Sequence, residues 1–137
     1  MGAIKIILEQ ASPTSMRLVN DFHIVVDRPT EKGGGGTGLM GGQYLLTGIA
    51  GCFCSTLFAA AQARQILIEN LKVVLEANLS QDLPKRFDAV QLHVSYGSCN
   101  QPDEFGAILK IAEKGCLSIN TIKKGMDFRI TDLEKVG

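Results

Sequence analysis

The sequence predicts an α+β domain, with strands and helices following one another outside the βαβ repeat of a parallel sheet. Three observations carry this. Strand-like segments lie at both ends and in the middle of the chain. A charge-free stretch from Gly33 to Ala63 contains one long helix. A second, amphipathic helical pattern lies between the later strands. With 137 residues, 45% of them hydrophobic, the chain has the size of one domain, residues 1–137, and enough apolar side chains for a real core.

Taken in order, Ile4 to Leu8 is rich in β-formers, and Gln10 to Ser15 is turn material around Pro13. Met16 to Val19 and Phe22 to Val26 read as a second and third strand around the turn residues Asn20 and Asp21. A loop dense in glycine follows: nine of the fifteen glycines fall between Gly33 and Gly51. It leads into a helix of about twenty residues, near Gln43 to Ala63, in which Ile49, Phe53 and Leu57 form an apolar row. Gly48, Gly51, Cys52, Ser55 and Ala59 form a second face of small residues. Such a face admits a close neighbour, within the domain or from a second copy. Leu71 to Leu79 reads as a strand, and Asp82 to Lys85 as a turn. Val90 to Tyr96 alternates strictly, which marks a half-buried antiparallel strand. Pro102-Asp103-Glu104 opens a helix carrying Phe105, Ile108, Leu109 and Ala112 on one face, and the early acids favour that start. Gly115 breaks this helix and Cys116 follows at once. A short helical turn and a last strand, Met126 to Ile130, close the pattern.

Composition removes several classes of function. The 14 basic and 14 acidic residues cancel, so nothing draws the chain electrostatically to nucleic acid or to an anionic membrane. There is no Trp, and aromatic residues make up 6%, which leaves little for base stacking. The segment from Tyr44 to Ala61 is long enough to span a bilayer. It is rich in Gly, Ala, Ser and Thr, however, and lacks flanking anchors. A central helix of a soluble domain has the same composition, so no membrane partner is expected. Met1-Gly2-Ala3-Ile4-Lys5 leads straight into a strand pattern with no signal peptide visible. A cytoplasmic protein with free thiols is the expectation.

Three motifs carry possible chemistry. Gly36-Thr37-Gly38-Leu39-Met40-Gly41 matches G-x-G-x-x-G, but Val26 ends the preceding strand too far upstream, and no acid occurs until Glu69. A tightly turning loop fits better than a dinucleotide site. Cys52, Cys54, Cys99 and Cys116, with His23 and His93, show no paired metal-ligand spacing. Cys52 and Cys54 point about 200° apart on a helix and cannot clasp one ion. No metal or other cofactor is therefore expected. Cys52 and Cys116 remain as a redox pair. Cys is a common core residue, but Cys116 follows a helix-ending Gly and opens a helical turn, where backbone N–H groups favour thiolate. From spacing alone, core filler and chemistry both stand.

At these residues the sequence resembles the OsmC/Ohr family. Gln43-Tyr44-Leu45-Leu46-Thr47-Gly48-Ile49-Ala50-Gly51-Cys52-Phe53 is similar to its central helix, which carries a peroxide-reacting Cys. Ala112-Glu113-Lys114-Gly115-Cys116-Leu117-Ser118 is similar to its second-Cys segment. Asp27-x-Pro29 and the glycine-rich lead-in also fit. The resemblance implies an OsmC-like fold of antiparallel sheets around a long central helix, assembled as an intertwined homodimer. It implies a thiol-dependent peroxidase in which Cys52 attacks an organic hydroperoxide or hydrogen peroxide. Cys116 then condenses with the sulfenic acid to a disulfide, and a dithiol reductant reopens it. An Arg near Cys52 would lower its pKa, with Arg17 the first candidate and Arg28 the second.

The chain also departs from the family. Where active members carry Glu, it reads Gly41-Gly42-Gln43, leaving Gln43 to hydrogen-bond an Arg without charge. The usual Pro after the second Cys is Leu117, and Cys54 is extra. Two alternatives therefore stand beside the peroxidase: an OsmC-like thiol redox or sulfur-handling protein with little peroxidase activity, and a non-enzymatic dimer that binds a small apolar ligand.

Overall fold

The computed structural model describes residues 4–133. Met1, Gly2 and Ala3, the start of the strand-bound opening, lie outside them. Three helices and antiparallel sheets make up the described residues, so the α+β expectation holds. The chain divides into two compact units, Met1–Gly48 and Ile49–Gly137.

The first unit is built on a sheet of β1 (Leu8–Ser12), β2 (Ser15–Leu18) and β3 (Val25–Asp27), antiparallel in that order. Its hairpins differ from the sequence reading. Strand pairing begins at Leu8 and continues through the expected turn residues to Ser12, so the turn shrinks to Pro13 and Thr14. Ser12 and Ser15 lock it through a 2.6 Å hydroxyl contact. The second connection is longer than expected. Asn20 Oδ1 accepts the Phe22 N–H, and His23 takes a left-handed φ of 54°. Residues 22–24 are thereby drawn out of the strand. A short 3-10 turn, Thr30–Lys32, and the glycine loop follow.

Asp27, only 2% exposed, organises that loop. Its carboxylate accepts the backbone N–H groups of Arg28 (2.7 Å), Gly35 (3.4 Å) and Thr37 (3.1 Å), and the Thr37 hydroxyl (2.6 Å). The Thr37 hydroxyl leads these bonds in holding the carboxyl far below the usual acid range. Gly36-x-Gly38 is thus wrapped around a side chain of the chain itself, as a turning loop requires. At Gly38 the backbone passes against the Val25 carbonyl with no room for a Cβ.

Helix α1 (Gly41–Ala63) begins in the first unit and continues into the second. By length and composition alone it could cross a membrane, a test that a core helix also passes. Phe53, Leu57, Ala60 and Ala61 join Ile66, Phe105, Ile108, Ala112 and Cys116 in the hydrophobic core of the second unit. The small-residue face remains open in the single chain, with Gly51, Ser55 and Ala59 exposed.

In the second unit, β5 (Lys72–Leu79) pairs antiparallel with β6 (Phe87–Ser95), and short β4 (Ile68–Glu69) pairs with β7 (Ser98–Cys99). The alternation read from sequence is real: Leu92 and Val94 face the core while Gln91 and His93 are exposed. A 3-10 turn over Pro102–Glu104 starts α2 (Phe105–Gly115), whose Phe105, Ile108 and Ala112 are buried. The expected helical turn after Cys116 is a full helix, α3 (Leu117–Lys124). The expected last strand is not formed. Residues 126–130 make no ladder among the described residues, and Met126, Phe128 and Ile130 are exposed. Strand propensity without a neighbouring backbone to pair with does not make a strand.

Candidate thiol site

The site is made where α1 meets the link between α2 and α3. Cys52 and Thr56, one turn apart, share a face of α1, and the Thr56 hydroxyl donates to the Cys52 carbonyl at 2.9 Å. Gly115 comes close to this face: a Cβ there would lie 3.4 Å from Thr56 Cγ2. This approach carries Cys116, fully buried at the end of α2, to the half-buried Cys52. The two cysteines, 64 residues apart in sequence, meet in this core, where Cys52 packs against the buried cluster that includes Cys116.

Their electrostatics are opposite. Hydrogen bonds from the Ser118 hydroxyl and the Ser118 N–H pull the Cys52 pKa below the usual thiol value of 9.0. Cys116 and the Leu117 N–H add to this, and burial opposes it. Cys116 moves up, first through burial and then through its contact with Cys52, which outweigh the Ile119 and Ser118 N–H groups. The pair therefore holds one sulfur disposed to be thiolate and one disposed to remain thiol.

Ser118 is the residue that sequence reading missed. It looked like part of a motif rather than a participant. The available signal was its place in the first turn of a helix, where N–H groups have no partner within the helix.

The other sequence candidates have these local partners. Arg17, across from Glu9 in the β1–β2 hairpin, pairs with it at 3.3 Å with both side chains exposed. Arg28 follows β3, and its carbonyl accepts the Gly36 N–H. Gln43 turns its side-chain oxygen onto the Met40 N–H at 3.0 Å, at the start of its own helix. Cys54 is half-buried, and burial raises its pKa. Cys99 lies in β7 against the core. His93 pairs with Glu76 at 2.8 Å on the β5–β6 hairpin. Among the described residues, no group of three or more His, Cys, Asp or Glu side chains is placed to hold a metal.

An apolar groove of about 670 Å³ lies within the second unit. Ile49 and Phe53 of α1, Leu92 and Val94 of β6, Leu109 of α2 and Ile119 of α3 wall it. Phe53, the chain neighbour of Cys52, is one of its walls.

Comparison with known proteins agrees with this architecture. The family model described as OsmC-like protein matches residues 33–131, and the chain belongs to that family. An OsmC-like protein from Mycoplasma pneumoniae has the same fold at 24% identity and a TM-score of 0.76, over 90% of this chain and 89% of that one. A Legionella pneumophila protein described as an organic hydroperoxide resistance protein OsmC is also 24% identical, with a TM-score of 0.68 over 90% and 92%. A hypothetical protein from Aquifex aeolicus matches at 15% identity and a TM-score of 0.75, over 93% and 92%. No functionally curated protein gives a significant match.

Proposed function

We propose that this chain is a cytoplasmic, homodimeric, thiol-dependent hydroperoxide reductase with Cys52 as nucleophile and Cys116 as resolving thiol. The observation that carries the reading is that Cys52 packs against the buried core containing Cys116, with the Cys52 pKa drawn down and that of Cys116 pushed up. Membership of the OsmC-like family supports a redox role, as does the likeness in fold to an organic hydroperoxide resistance protein.

The steps balance as follows. The Cys52 thiolate attacks the terminal oxygen of ROOH. An S–O bond forms, the O–O bond breaks, and RO⁻ leaves to take a proton from solvent as ROH. Cys52 is now a sulfenic acid, oxidised by two electrons. The Cys116 sulfur attacks it, an S–S bond forms, and water leaves carrying the Cys116 proton. A dithiol reductant then restores both thiols by exchange and leaves as its own disulfide. The apolar groove of the same unit suits an apolar R group.

One observation favours a second reading. The family's acidic position is Gln43 here, and its oxygen serves the start of α1. An OsmC-like thiol redox or sulfur-handling protein with slow peroxide turnover fits that better. Thiol titration and intact mass, before and after one equivalent of cumene hydroperoxide, separate the two. Fast loss of two thiols and two hydrogens, with a sulfenic acid trapped at Cys52 in Cys116→Ser, supports the peroxidase. Four thiols untouched over minutes would transfer the assignment to the second reading.

A further inference from the structure

We infer that Gly115 is a positioning residue of the thiol pair: its bare backbone, seated against the Thr56 methyl, sets how closely the end of α2 brings Cys116 to the Cys52 face of α1. The inference rests on the proposed roles of Cys52 and Cys116, and it concerns the second chemical step, closure of the disulfide.

The contact is built from both sides. On α1, Thr56 stands one turn after Cys52, and its hydroxyl donates to the Cys52 carbonyl at 2.9 Å. A threonine bonded back to the preceding turn has its χ1 fixed, so the methyl cannot swing aside without giving up that bond. On α2, Gly115 is the last residue, and a Cβ built on it would lie 3.4 Å from that methyl carbon, Thr56 Cγ2. An alanine would just reach contact, and the branches of a valine would have no depth left on that side. The two helices cannot draw apart freely to make room. Leu57, the residue after Thr56, and Ile108 and Ala112 of α2 are fully buried in the same core, which would have to open.

Cys116 inherits its place from this contact. It is the next residue, it caps α2 with an extended backbone (φ −74°, ψ 115°), and it is itself fully buried. A buried side chain has little rotamer freedom with which to compensate for a displaced backbone. Closure is sensitive to such a displacement. The Cys116 sulfur must reach the Cys52 sulfur as the S–O bond of the sulfenic acid breaks and water leaves, and a disulfide tolerates only a narrow range of backbone separations. The attack of Cys52 on peroxide needs no such approach, so the size of the side chain at position 115 should tell in the second step.

The test follows the full chain after one equivalent of cumene hydroperoxide, by quenched intact mass with dimedone to trap sulfenic acid. In the wild type, sulfenic acid should pass to disulfide as it forms. In Gly115→Val, closure should slow by roughly tenfold to a hundredfold, the cost of misplacing a reacting atom by about 1 Å, and sulfenic acid at Cys52 should accumulate. Thr56→Ser removes only the methyl and keeps the hydroxyl. Combined with Gly115→Val, it should restore most of the closure rate, a rescue that separates a fitted contact from a general loss of stability. If Gly115→Val does not fold, Gly115→Ala should slow closure by about threefold, for a shift of a few tenths of an ångström, again relieved by Thr56→Ser. Wild-type closure rates in the Gly115 variants, or slowing that Thr56→Ser does not relieve, overturn the inference. The same chains are also treated with diamide, which takes two thiols to a disulfide and leaves as the hydrazine. A wild type inert to peroxide, with diamide closure still slowed in the Gly115 variants, rejects the peroxidase and keeps Gly115. Peroxide turnover with closure indifferent to the Gly115 variants keeps the peroxidase and rejects Gly115.

Discussion

A thiol in the middle of an apolar helix ordinarily resists ionisation, because burial penalises the charged form. Cys54 does so. Cys52, two residues earlier on the same helix, goes the other way, because its side of α1 meets hydrogen-bond donors. The sign of each shift makes a testable ranking. A lowered pKa puts thiolate at pH values below the usual 9.0, while a raised one removes it there. Near pH 7, alkylation should strike Cys52 first, with Cys54 and Cys116 slower; peptide-resolved labelling checks the order. Equal rates at all three would remove the electrostatic basis of the pair. Cys116→Ser should abolish disulfide formation and lower multiple-turnover peroxide reduction, while a single oxidation at Cys52 persists as sulfenic acid in the mass spectrum.

At the scale of elements, one feature holds the site in place and a second organises the first unit. The first is the packing of α1 and α2 in one core. Leu57 and Ile108 are fully buried there. Leu57→Ala should cost about 2–5 kcal/mol, read as a lowered urea midpoint. The second is the loop wrapped on Asp27, which precedes α1. Its folded-state pKa is depressed, so its contribution is present above the ordinary value of 3.8 and drains away as pH falls below it. Asp27→Asn should therefore destabilise the protein at neutral pH and flatten the acid side of its stability curve. Urea melts across that range measure both effects. Gly38→Ala should cost about 1–3 kcal/mol, because its Cβ meets the Val25 carbonyl.

The whole molecule leaves apolar surface uncovered in a single chain. Phe128 and Ile130 are 80% and 90% exposed, and Leu45 and Phe58 of α1 are exposed too. Exposed large apolar side chains of this kind are the material of association surfaces. The expected state in solution is a homodimer, with a light-scattering mass near twice 14.7 kDa. A mass near 14.7 kDa at micromolar concentration would require the residues beyond α3 to serve another purpose.

Much of this was written in local pattern. The 3.6-residue spacing of Ile49, Phe53 and Leu57 and the period of two through Leu92 and Val94 specify α1 and β6, because each periodicity matches one backbone geometry. Two cysteine-bearing segments identified the family. Strand boundaries near Asn20 and His23 were less legible, since one side-chain hydrogen bond and one left-handed residue redirected the chain. The last strand failed because its formation depends on a partner backbone that no local sequence supplies. Sequence by itself determined α1, α2 and the main hairpin. Only the tertiary structure decided that Gly115 approaches Thr56 on α1 and that Cys52 packs against the core that buries Cys116. Contact across 64 residues and the field at one sulfur are properties of packing, and no spacing along the chain encodes them.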